Sequence, residues 1–578
     1  MVRRLFILLF LFGCLVSCKE APQPIADGRK ADYAFYDAHG EFHRFSRYND
    51  SKAIVLYVQG NGCPIVRNGL TDFHEVVAEF KDDFAFFMLN ANLQDSRESV
   101  RKEAEDFNFQ VPVLLDSNQL FADALDINTT AEAIILHPTT REVLYRGPVN
   151  NRLDFEGQKS APTESYLRDA LTTLLQGQTI AKTFEVTKGC KVTRLSKTQK
   201  EDSLTYTQDI APILQNHCVR CHKDGGIAPW QMKDYPTIVG WSEMIKEVLW
   251  SKRMPPWKAD PTIGEFTNSF SLPDSQARKV VRWIETGMKQ GPGEDPLATI
   301  PTDTLVWPMG TPDDIVTLKK ESIPATGVIP YRYQKFTLNV DRDVWISGIA
   351  MKPGNPKVVH HFVIAETDGN KESLIVNRPP TPWIDNYIAV GTGGDETTIF
   401  PDSTGVFLKK GSSLSIQIHY TTTGKPEVDE TQIGFYFHET PPANPLYAIA
   451  PYNHTFTIPP YSKDTKVVAR DTITKDITLH YLGPHMHYRG KSIKIMAAFP
   501  SGEIQTLVSV PDYNFNWQLI YKLKEPISLP KNTVLVVEGV YDNSYQNPLN
   551  PDPSQELHYG IQSIDEMLIG FMNYTIDK

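Results

Sequence analysis

Basic charge is in short supply in this sequence. Lys and Arg number 58 against 69 Asp and Glu, for a net charge of −11 over 578 residues. No basic stripe stands out, which argues against a nucleic-acid partner. Cysteine is scarce too, at six. Two lie in the first eighteen residues and two in one short motif, so only Cys63 and Cys190 remain, and a disulfide framework is excluded. Beyond the N-terminus no stretch reaches the roughly 18 apolar residues that a membrane-spanning helix needs. Internal repeats and low-complexity tracts are absent as well. What is present is an ordinary globular profile, 41% hydrophobic and 22% charged, with 42 prolines and 35 glycines spread along the chain. The length calls for roughly three to five domains.

Residues 1–18 read as a targeting segment. Arg3 and Arg4 precede an apolar run from Leu5 to Leu15, and Leu15-Val16-Ser17-Cys18 resembles a bacterial lipobox. That resemblance implies a lipid on Cys18 and a protein anchored by it in the bacterial cell envelope, at the periplasmic or outer-membrane face.

Residues 30–185 alternate strand and helix. Strands are expected at 53–58, 84–89, 111–115, 132–137 and 142–146, and helices at 66–80, 96–107 and 163–175, the pattern of an α/β domain. It resembles a thioredoxin-like or redoxin domain. Cys63 follows the first strong strand at the start of a helix, where a helix N-terminus lowers a thiol pKa. Yet Cys63-Pro64-Ile65-Val66 has no second Cys, Gly60 stands where peroxiredoxins carry Thr or Ser, and Ala131 stands where thioredoxins place a cis-proline. Cys63 is left with three readings of equal weight: a one-thiol site, a disulfide partner of Cys190, or an inert remnant.

A polar linker is expected over 193–203. Residues 204–295 then read as helices at 207–215, 239–250 and 274–287. Within them, Cys218-Val219-Arg220-Cys221-His222 has the spacing of c-type haem attachment, two thioether-forming thiols followed by an iron-ligating His. The segment resembles a small all-α cytochrome c domain. Met254, in Arg253-Met254-Pro255-Pro256-Trp257, resembles its distal methionine, with Met232, Met244 and Met288 as local competitors.

From about 305 onward, short alternating runs broken by Pro, Gly and Asn predict all-β structure, divided as 305–450 and 451–578. Here His360-His361, His419 (on the face opposite Leu414, Ile416 and Ile418), His485-Met486-His487 and Asp565-Glu566-Met567 follow one another. Imidazole combined with thioether suits copper better than zinc. The order resembles the copper type II, ascorbate-dependent monooxygenases, the family of peptidylglycine hydroxylating and dopamine beta-monooxygenases. The resemblance covers 305–578 and implies two jelly-roll sandwiches and two coppers. One would be held by His360, His361 and His419, and the oxygen-activating one by His485, His487 and Met567. It also implies O2 and a small-molecule substrate, with electrons from the haem, from ascorbate or from a redox partner protein. Peptide-specific members carry Arg and Asn where this chain has Gly483 and Ile569, which speaks against a peptide substrate. His454, His480 and His558 read as partners of backbone or solvent. The alternative is a non-catalytic haem and copper electron carrier. One conflict is visible in advance: neighbouring residues on a strand point to opposite faces, so His360 and His361 share a metal only if the strand bends or ends there.

Overall fold

The computed structural model describes residues 32–154, 157–181, 187–195, 203–300, 307–367 and 386–577. The targeting segment and Cys18 lie outside them. Among the described residues no helix is long and apolar enough to cross a membrane.

The first domain is a seven-stranded sheet in the order β2-β1-β5-β4-β3-β6-β7. Its strands are β1 (Ala34–Asp37), β2 (Phe42–Arg44), β3 (Ile54–Gln59), β4 (Ala85–Asn90), β5 (Val113–Leu115), β6 (Ala133–Leu136) and β7 (Val143–Gly147). β3, β4 and β5 run parallel through the centre and read as unbroken apolar runs because both faces are covered. The helices α1 (Pro64–Phe80), α2 (Arg97–Asp106), α3 (Leu120–Ala124) and α4 (Tyr166–Leu175) connect or follow these strands. The expected α/β alternation holds, with β1 and β2 added at the edge.

The middle segment opens on a π-helical turn, Tyr206–Ile210, followed by α5 (Ala211–His217), α6 (Tyr235–Gly240), α7 (Ser242–Trp250) and α8 (Asp274–Glu285). The single helix expected over 239–250 is two. α6 starts earlier, where Asp234 accepts the Thr237 N–H at 2.9 Å, and ends at Gly240, before α7 begins at Ser242. The expected linker is only partly one. Arg194 is buried and ion-paired with Asp123, so the chain is fastened to the first domain before it moves on.

The remainder is β-rich. A four-stranded sheet (332–336, 414–420, 359–366 and 387–392) and a six-stranded sheet enclose one core around Ile346, Ile364, Ile416 and Phe435. A second pair of sheets, one built on Ile477–Met486 and Leu568–Ile576 and the other on Gly490–Ala498 and Val534–Tyr541, encloses a second core. Alternating burial along Thr465–Thr472 shows why these are strands, since every second side chain enters the core.

The parts share their cores. Trp257, Ala259 and Phe270 of the middle segment belong to the last β core, and Leu120 of α3 belongs to the helical one. At the junction sits Asp512, buried, with Lys258 Nζ at 2.9 Å and the guanidinium groups of Arg44 and Arg47 each at 3.1 Å. Burial alone would raise the Asp512 pKa. The three cations override it and hold the carboxyl at about 2.

Removing the charge from Asp512 leaves the buried Lys258 ammonium and the half-buried guanidinium groups of Arg44 and Arg47 uncompensated, a change that costs about 3–5 kcal/mol at most. Asp512→Asn is expected to lower the thermal midpoint at pH 7. Because the folded pKa lies below the ordinary carboxyl value, the stabilisation is complete above pH ~4 and is lost as pH falls through about 2. The gap between wild type and variant in thermal melts should therefore close over that acid range and stay constant above it.

Candidate metal and redox sites

The strand Val359–Glu366 resolves the conflict seen in the sequence. Val359 pairs with Tyr420 and His361 with His419, which leaves His360 as the extra residue of a bulge. A bulge turns neighbouring side chains toward one side. The Nδ1 atoms of His360 and His361 are 2.8 Å apart, and that of His419 is 3.2 Å from His360 Nδ1. Three ligand atoms, one per ring, lie within 4.8 Å of one another. All three rings are buried. Burial lowers the pKa of His360 to about 4; burial, then the charge of His360, lowers that of His419 to about 3. His361 is lowered further by burial and by His360 and His419. Three neutral imidazoles converging by the same nitrogen have the geometry to hold a cation. His419 does face away from the apolar stripe of its strand, but Tyr331 and Phe515 cover it there, with ring centroids 5.1 and 5.4 Å away.

His485 and His487 stand at the end of the strand Ile477–Met486, with ring centroids 5.2 Å apart. Each is oriented from behind. His485 Nδ1 meets Gln518 Oε1, and His487 Nδ1 lies 3.2 Å from the Asp565 carbonyl. Both contacts call for Nδ1–H and leave Nε2 free to bind a metal. The Nε2 of His487 is buried without a hydrogen-bond partner, a donor atom that fits metal ligation. Glu566, wholly buried, accepts the backbone N–H groups of His487 at 3.0 Å and Arg489 at 2.7 Å. This fastens the 565–567 run beside the histidines. Met567 then joins His361, His485 and His487 in lining one cavity of about 390 Å³.

The two sets of ligands are therefore neighbours. Phe515 lies 5.4–5.9 Å from the rings of His360, His361 and His419 and 5.8 Å from that of His487. Tyr331 similarly touches His361, His419 and His487, at 5.8, 5.1 and 6.4 Å. Sequence reasoning missed both aromatics, Gln518 and this shared wall. Lone residues in loops carry no periodic signal.

Cys218 caps the end of α5 and Cys221 lies in the turn after it, both half-buried. His222 Nδ1 lies 3.0 Å from the Trp230 carbonyl, again leaving Nε2 to ligate, and Trp230 stacks on Trp241 at 4.8 Å. Met254 is half-buried on the loop after α7, its N–H 3.3 Å from the Val248 carbonyl. Met232 is buried, and its N–H donates to the His222 carbonyl at 2.8 Å. The motif also touches the three-histidine cluster. Arg220 donates to the Gly394 carbonyl at 3.0 Å, and the Gly393 N–H to the His360 carbonyl at 3.2 Å.

Cys63 caps α1, with its Sγ 3.1 Å from Thr130 Oγ1. The Cys190 N–H donates to the same hydroxyl at 2.9 Å, so the two cysteines meet. His480 Nε2 contacts the Thr575 hydroxyl, and His558 contacts the Thr457 hydroxyl and the Glu556 carboxylate, so their partners are side chains rather than the backbone or solvent expected.

Residues 27–149 match the AhpC/TSA family model. The chain thus begins with a thioredoxin-like redox domain of AhpC/TSA type, followed by a β-rich region of many sheets. No curated protein matches it. Among solved structures, a hypothetical protein from Sinorhizobium meliloti is 24% identical over 28% of this chain and 91% of its own, with a TM-score of 0.26. The exposed lipoprotein thioredoxin Etrx1 of Streptococcus pneumoniae is 17% identical over 25% and 99%, with a TM-score of 0.21. Peroxidoxin BcpB of Mycobacterium tuberculosis is 18% identical over 26% and 94%, with a TM-score of 0.20.

Groups that hydrogen-bond the far nitrogen of a ligating His and so orient its ring typically contribute about 10–100-fold in metal affinity. Gln518→Leu is expected to weaken Cu(II) binding by about that factor at the His485–His487 set and leave the three-histidine set unchanged. Isothermal titration resolving two classes of site checks this, and equal weakening of both would refute the assignment.

Proposed function

We propose that the chain is a copper-dependent monooxygenase that hydroxylates a C–H bond of a small neutral substrate with O2, carried by an envelope lipoprotein with a covalent haem. One observation supports this above the others: the bulge at His360 converges three buried neutral imidazoles, while His485, His487 and Met567 line a cavity against the same wall. The donor chemistry fits copper, because an all-imidazole set and an imidazole–thioether set suit the Cu(II)/Cu(I) couple. Bound at these two sets, copper would supply one-electron storage at His360, His361 and His419 and O2 activation at His485, His487 and Met567.

The chain's own groups set the rest. Gln518 and the Asp565 carbonyl hold the His485 and His487 rings in one tautomer. Tyr331 and Phe515 exclude water between the two sets. Val363, Val390, Ile520, Ile569 and Phe571 make the cavity wall largely apolar, and no Asp, Glu, Lys or Arg is among its described lining residues. A charged amine or carboxylate would be desolvated there without a partner, at a cost of several kcal/mol. Gly483 and Ile569 both line this cavity, so the residues that differ from the peptide-specific pattern are the ones substrate would meet. The substrate class is a neutral, mainly apolar molecule.

Cys218 and Cys221 would carry the haem thioethers, with His222 and Met254 as axial ligands; ascorbate or a redox partner protein would be the external source of electrons. The lipobox-like run ending at Cys18 supports envelope attachment by lipid.

The wild type is expected to bind two coppers per chain and to consume O2 with ascorbate when given neutral apolar substrates. Met567→Ala should abolish turnover and keep the three-histidine copper. One copper or none by metal analysis would refute the reading, and two coppers without any substrate-dependent O2 uptake would make the protein an electron carrier. Haem should survive acid acetone. Cys18→Ser should move the protein to the soluble fraction, and unchanged fractionation would remove the lipid anchor from the proposal.

A further inference from the structure

The second cysteine near Cys63 comes from far along the chain, beyond the segment that matches the AhpC/TSA family model. The described residues 187–195 return to the first domain as a strap laid against the loop before β6. The Thr130 N–H donates to the Cys190 carbonyl at 2.8 Å, and the Val192 N–H to the Asn128 carbonyl at 2.9 Å. Thr129 and Lys191 form a bridge between the two segments. Thr187 and Val192 are buried at either end. Gly189 allows the close approach, since a Cβ there would lie 1.9 Å from the Thr130 carbonyl oxygen. This strap places Cys190 against the core that contains Cys63.

One hydroxyl serves both cysteines. Thr130 Oγ1 accepts the Cys190 N–H, so its own hydrogen is free to donate to the Cys63 sulfur at 3.1 Å. The Cys190 side chain packs against the core that holds Cys63, so each thiol acts on the other's ionisation. Their surroundings differ. Cys63 is 4% exposed at the N-terminus of α1, and Cys190 is only half-buried.

We propose that Cys63 and Cys190 form a redox-active dithiol that closes reversibly to a disulfide and exchanges electrons with a dithiol partner, Cys190 being the sulfur attacked and Cys63 the leaving group. In the reductive direction, a partner thiolate attacks Cys190 Sγ. The bond between Cys190 and Cys63 breaks, and its electron pair leaves on Cys63, where Thr130 and the helix N-terminus receive it. The partner's second thiolate then displaces Cys190 from the mixed disulfide. Two electrons and two protons pass to the pair, and the partner is left as a disulfide. A partner disulfide reverses each step.

The asymmetry of the two thiols supports this direction. Burial opposes ionisation of Cys63, but the Cys190 thiol, the Thr130 hydroxyl and the Val66 N–H together bring its pKa below the usual value. Burial and the neighbouring Cys63 push Cys190 up to about 11. A thiol of lower pKa leaves faster.

The test uses the full chain in dithiothreitol or glutathione buffers of graded potential, followed by acid quench, alkylation and peptide mapping. Cys218 and Cys221 are scored on their own peptides, so a failure of the haem or copper assignments does not touch the result. The expected result is a linked peptide joining Cys63 to Cys190, which opens to two alkylated thiols as the buffer becomes more reducing, with the chain still folded. Cys190→Ser should leave Cys63 alkylatable at every ratio. Thr130→Val should slow reduction about threefold and move the pH profile of Cys63 alkylation upward. No linked peptide at any ratio, or a linked one that opens only after denaturation, would overturn the proposal. An unchanged rate and pH profile in Thr130→Val would overturn the leaving-group assignment.

Discussion

A single buried carboxylate ties the three regions of this molecule together. Asp512 takes Arg44 and Arg47 from the first domain and Lys258 from the middle segment, and itself belongs to the last β region. Ion pairs at such a depth are poor sources of net stability, because desolvating the charges offsets their attraction. Their value is geometric, since an alternative docking would strand three cations and an anion away from water. Arg97 and Asp260, paired at 2.8 Å, repeat the device a short way off. The apolar side of the same joint is Trp257, whose ring packs on Phe270 and Tyr521 at 5.2 and 5.0 Å. The helical segment thus has part of its own sequence in a neighbour's core, and the separate domains read from the sequence act as one packed body at this joint.

Much of the first domain was legible in the sequence because parallel central strands are apolar throughout and their helices are amphipathic. The histidines and Met567 were legible as residue types in order along the chain. The means of bringing them together was not. Only a demand could be read, that the strand bend or end at His360, and the bulge that meets it is set by the pairing of Val359 and His361 with a strand more than fifty residues away. Phe515 and Tyr331 were illegible for the same reason. Nothing local marks them, and their role exists only once the two β regions face each other. Thr130 and the strap that carries Cys190 belong with them, since their meeting joins positions 60 residues apart.

Burial has opposite consequences at the two chemical sites. Around the five histidines it favours the neutral rings, which keeps lone pairs available to a metal and leaves the surrounding cavity without ionised side chains. At Cys63 burial acts against the reactive, charged form, and specific donors must overcome it: a hydroxyl, a second thiol and a helix N–H. The difference explains why the histidine site needs so few polar neighbours, whereas the thiol site is built around Thr130.

The turn at 392–395 shows how closely the helical segment is fitted to the histidines. A Cβ on Gly394 would stand 2.6 Å from the Cys221 sulfur, and one on Gly393 would stand 2.0 Å from Ile227 Cδ1. Gly394 also has φ +86°, a conformation that L side chains resist. The two glycines let the turn lie against the CxxCH segment while the Gly393 N–H and the Thr392 hydroxyl hold the His360 carbonyl at 3.2 and 3.1 Å. His360 is the bulged residue, and its carbonyl is among the groups a bulge takes out of the regular ladder. The turn therefore satisfies a backbone group that the bulge would otherwise orphan, and it does so with Thr392 and Gly393, the residues just before the glycine that lies against Cys221. A shift of the CxxCH segment would be felt first at the backbone of His360, so the geometry of the histidine cluster depends on the seating of that segment.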